Sequence, residues 1–487
     1  MDMTSSTVWF AVALLSLSVV VTKIVSGRII TFDSRRLPPV VNGIALLGLV
    51  PIFIRNGRQA TIQYLHTKFG SVFTVSLFGL KLTFLIGPEV ADHFFQGLDS
   101  EVSYGNIYEF TVPMFGQAVG YGVDSTTQNE QMRFSSDSMT PLNLRRKVEP
   151  MLQEVKDYFS KWGEDGIVDL KHELKHLLML ISSRALLGKE VREEVFTEFC
   201  QLFSDIQGSA NMINLLFPYV PIPTNRQRDR ARIKLIEILS EIVRSRKLSG
   251  LVGDGDMLQK FMDSRYRDGR STTEEEIAGL CIAIFFAANH TCSHAITWTA
   301  AYLLSHEDCL TTVVEEQKNI VRKNKDHIDY NILLDMHSLH RCIKEALRMH
   351  PPVPVFLRKA HMPFTVRTKQ GDEYDIPKDH ILASPTILNH NMSYIYKNPL
   401  QYDPDRFGPE RKEDKIGGKF SYTSFGAGRH ACFGEAYAYM KFKMIWSYML
   451  RNFELKLISP FPIEDSRKFV PEPQGKMMVS YKRLPQT

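Results

Sequence analysis

The feature that most constrains this chain is a ten-residue stretch, residues 425–434, reading FGAGRHACFG. It holds one cysteine, Cys432, among three glycines, immediately before a helix-forming run over residues 435–449. A tight, glycine-rich turn lets backbone amides point at a sulfur, which lowers its basicity and fixes its orientation. The start of a helix adds positive potential, and that also favours thiolate over thiol. Cys432 therefore reads as an axial haem ligand whose electron donation favours O–O cleavage. A lone cysteine near glycines is ordinarily a buried thiol beside a loop. The full spacing F-x-x-G-x-x-x-C-x-G is what separates this one from that case.

The remaining cysteines, Cys200, Cys281, Cys292, Cys309 and Cys342, form no CxxC pair, no disulfide framework and no zinc cluster. Reduced, cytosol-facing thiols fit best. The formal charge of +5 permits contact with an acidic partner or a membrane surface. No basic run is interleaved with aromatics, so a nucleic-acid reader is excluded. Aromatic residues make up 11% of the chain, enough to line an apolar pocket.

In chain order, residues 7–25 form an apolar run long enough to span a bilayer. A cleaved signal peptide competes with this reading. The positive residues Lys23, Arg28, Arg35 and Arg36 follow the run, and only acidic or neutral residues precede it. The positive-inside rule then leaves the body of the chain in the cytosol. The expected organisation is a membrane anchor over 1–27, a basic and proline-rich hinge over 28–40, and a catalytic domain over 41–487. Residues 71–86 alternate and are β-branched around Gly79, which predicts a hairpin. Helical patterns dominate from Pro88 to Ile242, and small-sheet signals appear at 371–379 and 477–482. Residues 217–223 (FPYVPIP) read either as a buried connection or as a membrane-dipping loop beside a substrate entrance.

The longest helical signal covers 272–306, with Thr272 and Glu275 as a capping box. Residues 280–288 are apolar on nearly every face, so this helix should cross the core. Asn289, His290 and Thr291 interrupt the run. Either the Thr291 hydroxyl bonds back to the preceding turn, or the helix breaks locally, lined by Ala287, Ala288, His290 and Thr291, to hold dioxygen and a proton relay. Glu345 and Arg348 share a helix face, and alone such a pair is usually a surface ion pair. Arg406 supplies a second arginine that can share the same carboxylate. Arg358 ends an extended apolar run and is placed to reach a haem propionate. Lys441 and Lys443 read as a dock for an acidic reductase or as a solvated helix face.

Taken together, the anchor, the hinge, the helix threonine, E-x-x-R, P-x-R-F and the cysteine loop resemble the cytochrome P450 superfamily over nearly the whole chain. Residues 108–116, with Tyr108, Phe110, Pro113, Phe115 and Gly116, resemble the substrate segment of the sterol 14α-demethylases. His290-Thr291 resembles their oxygen-helix motif, and runs at 374–377, 395–407 and 453–462 are similar to the plant enzymes that act on obtusifoliol. The resemblance implies a mainly α fold with a small β-sheet region and an N-terminal transmembrane helix. It implies haem b on the Cys432 thiolate, with His430, Arg358, Phe425, Tyr121 and Gly434 around it and a structural triad of Glu345, Arg348 and Arg406. Thr291 and His290 would serve oxygen activation. Tyr108, Phe110, Phe115, Ala287, Ala288, Val355 and Phe356 would line the substrate pocket. Partners implied are O2, a sterol or triterpene, the bilayer, and NADPH–cytochrome P450 reductase at the endoplasmic reticulum membrane.

Some positions depart from the demethylase pattern. Where that pattern reads Ala-Gly-Gln-His-Thr-Ser, this chain has Ala287-Ala288-Asn289-His290-Thr291-Cys292. Gly122 stands where an aspartate is expected, Gln128 and Asn129 stand near an expected arginine, and residues 383–392 differ from the plant pattern. An intact haem set beside an altered pocket leads us to expect a paralogue with a new substrate. The first expectation is a triterpenoid oxidase, resembling a divergent cereal branch that includes a β-amyrin oxidase. Obtusifoliol 14α-demethylation is the alternative, and a non-catalytic haem or sterol binder a weaker one.

Overall fold

Alternating β-branched residues interrupted by Gly79 produce the first strongly paired strands. A computed structural model describes residues 30–31, 36–41, 44–77, 79–250, 253, 255–325, 327–465 and 471–485. The anchor expected over 1–27 lies outside the described residues, as does part of the 28–40 hinge. The chain divides into two units: one of Met1–Ile107, Pro354–Pro399 and Lys412–Ala431, the other of Tyr108–Val353, Leu400–Arg411 and Cys432–Thr487.

The first unit is built on one sheet. Its strands are β1 (Ile30–Thr31), β2 (Val40–Val41), β3 (Val72–Leu77), β4 (Leu80–Leu85), β5 (Val102–Ser103), β6 (Val355–Ala360) and β7 (Ile381–Pro385), in the order β1-β2-β3-β4-β7-β6-β5. β3 and β4 are the expected hairpin, paired antiparallel from Val72↔Leu85 to Leu77↔Leu80, with Gly79 at φ 85°. β7 runs parallel to β4 and antiparallel to β6, so β6 is held along its length, from Lys359 opposite Ile381 to Val355 opposite Pro385. Beneath the sheet, Val72, Leu85, Phe94, Phe95, Leu382 and Phe420 form a buried cluster. The turn signal at 371–379 corresponds to a separate antiparallel pair, Phe364–Arg367 with Glu373–Ile376.

The second unit is helical. Its labelled helices are α1 (Leu170–Ser182), α2 (Glu274–Ser305), α3 (His337–Met349) and α4 (Glu435–Asn452). α2 is the core helix expected from its apolar circumference, buried along most of its length and packed against α1 and α3. Among the described residues it is the one helix long and apolar enough to cross a membrane, and its burial marks it as a core element. Its capping box lies one residue beyond the expected one. Thr273 and Glu276 close it, while the Thr272 hydroxyl donates to the Phe261 carbonyl at 2.6 Å. The strand signal near the C-terminus becomes Met478–Arg483, between Phe453–Leu457 and Asp165–Asp169. Phe217, Tyr219 and Val220 are exposed, which removes the buried-connection reading of residues 217–223.

Candidate active site

In the second unit, Cys432 stands just ahead of α4, whose N-cap is Gly434. The cysteine borders a hollow that Tyr330, Leu333, His340, Phe433 and Tyr439 also line. The Gly434 and Glu435 amides bond toward its sulfur, as the glycine turn and helix start suggest. Desolvation nonetheless outweighs them and pushes the thiol up to about 11. The turn therefore orients the sulfur but does not by itself ionise it. A cation bound there would, because coordination deprotonates a thiol outright. All six cysteines are free.

In the first unit, β6 presents Val355, Phe356 and Arg358 in order. Arg358 is 3% exposed, stacked over Tyr104 at 3.9 Å and Phe94 at 5.5 Å. Its Nη1 donates to the Leu357 carbonyl at 2.9 Å and its Nη2 to the Tyr104 hydroxyl at 3.3 Å, while its Nε has no partner. Among the described residues no carboxylate lies within ion-pair distance of it. A buried guanidinium without a counter-charge is costly by several kcal/mol, so this site suits an anionic group. His430 donates from Nε2 to Asp99 at 2.8 Å, so its Nδ1 can donate to an anion only when the ring takes a second proton, and it meets the Tyr104 ring edge-on at 4.8 Å. Burial, then the Arg358 charge, lower its pKa. Gly428 sits at φ 65°, and a Cβ there would stand 2.0 Å from the Phe95 carbonyl oxygen. Only glycine allows this close crossing. Phe425 is half-buried two residues before Ala427 in the same loop. The thiol at a helix start in the second unit suits a metal ion, and the uncompensated buried arginine of the first suits an acidic substituent, so the residues of each unit fit what haem would ask of them.

The structure brings Glu345, Arg348 and Arg406 together with all three side chains fully buried. Arg348 reaches Glu345 by two bonds, Nε at 2.8 Å and Nη2 at 2.9 Å, and Arg406 Nε donates to the same carboxylate at 2.9 Å. The backbone amide of Asp403 adds a fourth donor at 3.1 Å. This is not the surface pair that an isolated E-x-x-R suggests.

Along α2 the expected local break is absent, since the helix runs unbroken through Asn289, His290 and Thr291. The Thr291 hydroxyl donates back to the Ala287 carbonyl at 2.8 Å, and the Asn289 amide to the Phe285 carbonyl at 2.8 Å. Ala287 is exposed and Ala288 partly so, while the His290 ring stacks on Phe286 at 5.6 Å. Facing segments supply aromatic surface. Tyr108 stacks on Tyr121 at 5.3 Å and lies 6.2 Å from Phe110, and Phe115 meets Phe286 edge-on at 5.5 Å. Gly122 has a steric reason to lack the expected aspartate. Any Cβ there would lie 2.5 Å from the Gln117 carbonyl oxygen.

Lys441 and Lys443 are corrections. Both are buried, so neither forms a docking face. Lys443 donates to the Leu333 carbonyl at 2.8 Å and Lys441 to the Ala288 carbonyl at 2.9 Å. Lys441 stands four residues from both Tyr437 and Ile445, and Lys443 three from both Met440 and Trp446, and that spacing was the available signal for burial. Tyr104 and Asp99, which hold Arg358 and His430, carried no signal in the sequence.

The cytochrome P450 family profile matches residues 38–479. The chain is 49% identical to the obtusifoliol 14-alpha demethylase of Sorghum bicolor, covering 96% of this chain and 95% of that one. It is 47% identical to the sterol 14-demethylase of Arabidopsis thaliana, covering 96% of each. The fold matches retinoic-acid-bound cyanobacterial CYP120A1 with a TM-score of 0.78 at 20% identity, covering 93% of this chain and 100% of that one. These similarities overturn the triterpenoid-oxidase expectation, because relatives near half-identical over almost the full length are obtusifoliol demethylases. The changed positions around Ala288 and Gly122 were too few to outweigh that background.

Proposed function

We propose that this chain, which belongs to the cytochrome P450 family and within it to the sterol 14α-demethylases, removes the 14α-methyl group of obtusifoliol. It is a monooxygenase of that family, which sets aside the expectation of a non-catalytic binder. One observation carries the substrate reading: 49% identity to an obtusifoliol 14-alpha demethylase along 96% of the chain.

When bound, haem b supplies the dioxygen activation for three successive oxidations that release the methyl as formic acid. Cys432 would hold the iron through its thiolate, oriented by the Gly434 and Glu435 amides. Arg358 would take a propionate, His430 would do so once protonated at Nδ1, and Phe425, Tyr121 and Gly434 would help to hold the group. Thr291 and His290 hold and pass protons on the oxygen side. Tyr108, Phe110, Phe115, Ala287, Ala288, Val355 and Phe356 exclude water from a rigid sterol, as an apolar pocket with few polar groups does. Electrons come from NADPH through a cytochrome P450 reductase. Residues 41–487 form the catalytic domain behind the 28–40 hinge. Residues 7–25 anchor it in the endoplasmic reticulum membrane with that domain in the cytosol, and the exposed Phe217, Tyr219 and Val220 meet the bilayer.

Microsomes containing this protein and its reductase, given obtusifoliol and NADPH, are expected to yield the 14-desmethyl product and formate in equal amounts. Obtusifoliol returned unchanged by protein that shows the red-shifted Soret band of a thiolate–carbon monoxide complex would overturn the assignment.

A further inference from the structure

Lys441 is fully buried on α4, and among the described residues no carboxylate is within ion-pair distance of it. Its amine donates to the Ala288 carbonyl on α2 at 2.9 Å and to the Ser182 hydroxyl at the end of α1 at 3.4 Å. The Cys292 thiol, one turn beyond Ala288, is also within hydrogen-bonding reach of the amine. Burying an ammonium without a counter-charge is expensive, and packing alone gives no reason to accept it.

The acceptor is what makes the contact informative. Three carbonyls of this stretch take a side-chain donor in addition to the helix ladder: Phe285 from Asn289, Ala287 from Thr291, and Ala288 from Lys441. Back-bonding of this kind slightly destabilises a helix and tends to bend it. Asn289 and Thr291 belong to α2 itself and move with it. Lys441 is the donor that comes from another element, and that element is the helix which begins three residues after Cys432.

We propose that Lys441 is a positioning residue whose buried amine, by holding the Ala288 carbonyl, fixes the Ala287–Thr291 turn of α2 relative to the helix that follows Cys432. Burial lowers the pKa of the amine and the Cys292 thiol partly restores it, but either protonation state keeps a donor for the carbonyl. The contact acts through Thr291 and touches no substrate. Its consequence for turnover rests on the oxygen-side role assigned to Thr291, and the test separates the two.

Lys441→Met keeps the side-chain length and removes the donor, while Lys441→Gln keeps a neutral donor. Amide hydrogen exchange on the haem-loaded proteins is the direct readout. In K441M the peptide spanning residues 285–292 should exchange roughly three- to tenfold faster, with the rest of α2 unchanged, and K441Q should recover most of the protection. Unchanged exchange, or acceleration spread along the whole helix, would overturn the proposal. If K441M does not accumulate as folded protein, K441Q alone should show about twofold faster exchange confined to that peptide, and its absence would overturn the proposal equally. The functional readout is the share of NADPH electrons lost as peroxide. K441M should raise it several-fold, and K441M with T291A should be no worse than T291A alone, since both changes act on one turn. Additive losses would overturn action through Thr291. An unaltered peroxide share in T291A would instead sink the role assigned to Thr291, leaving the exchange result to decide Lys441.

Discussion

At the scale of single residues, burial is the term that decides how each group behaves. Cys432 has amides aimed at its sulfur, yet desolvation still raises the thiol to about 11. The ligand is thus oriented in advance and ionised only on coordination. Arg358 shows the complementary condition, a cation buried among Tyr104, Phe94 and backbone with its Nε unpaired. Replacing such a group with an apolar one of similar size removes a penalty. Arg358→Met should therefore leave the unfolding midpoint of haem-free protein unchanged or higher, while haem affinity falls roughly 10- to 100-fold, the weight of charge-assisted bonds to an anion. Haem titration beside thermal melts of the apoprotein checks both halves. Gly428→Ala is the opposite case, because φ of 65° and the Phe95 carbonyl oxygen at 2.0 Å leave no room for a methyl. It should lose at least about 1–3 kcal/mol from the backbone conformation alone, read as a lower melting temperature.

At the scale of elements, two helices depend on charges that never meet water. α3 carries Glu345 and Arg348, and the short 3₁₀ turn Pro404–Phe407 brings Arg406 to the same carboxylate. Glu345→Gln keeps the shape but leaves two fully buried guanidinium groups without their anion. A loss of about 3–5 kcal/mol is expected, seen as a large fall in the denaturation midpoint and poor haem retention. A stable E345Q protein would show that the carboxylate is dispensable. α2 teaches a different lesson. Its apolar circumference correctly marked it as the core-crossing helix, but the polar trio Asn289, His290 and Thr291 did not open it. The ladder runs on while the Asn289 amide nitrogen and the Thr291 hydroxyl donate to carbonyls one turn back, although the buried Asn289 Oδ1 keeps no partner. On α4, Lys441 lies four residues from Tyr437 and Ile445 and Lys443 three from Met440 and Trp446, and that spacing outweighs their charge in setting burial.

At the scale of the whole molecule, buried histidines link stability to pH. His294, 1% exposed, is held down to about 4 by desolvation, against the pull of the His350 and Pro471 carbonyls that face its ring. His380 is likewise lowered to about 4 by burial, with Thr83 bonded to its Nδ1 at 2.8 Å. Both are neutral in the folded protein, whereas the unfolded chain takes up their protons below the ordinary value of 6.5. Protons therefore favour unfolding, and stability should be full above pH 6.5 and fall toward pH 4, by up to about 1.4 kcal/mol per pH unit for each group. Denaturant melts across that range check the slope, and a His294→Asn variant should flatten it. What the sequence determined by itself was everything set by spacing along the chain. The cysteine loop ahead of its helix, the β3–β4 hairpin around Gly79 and the apolar length of α2 all arise from neighbours within a few turns. Tertiary structure alone decided which charges are buried and what answers them. Arg358 left without a carboxylate, Lys441 on the Ala288 carbonyl and His294 between two backbone oxygens each depend on segments far apart in the chain, and desolvation is a sum over all of them that no local pattern contains.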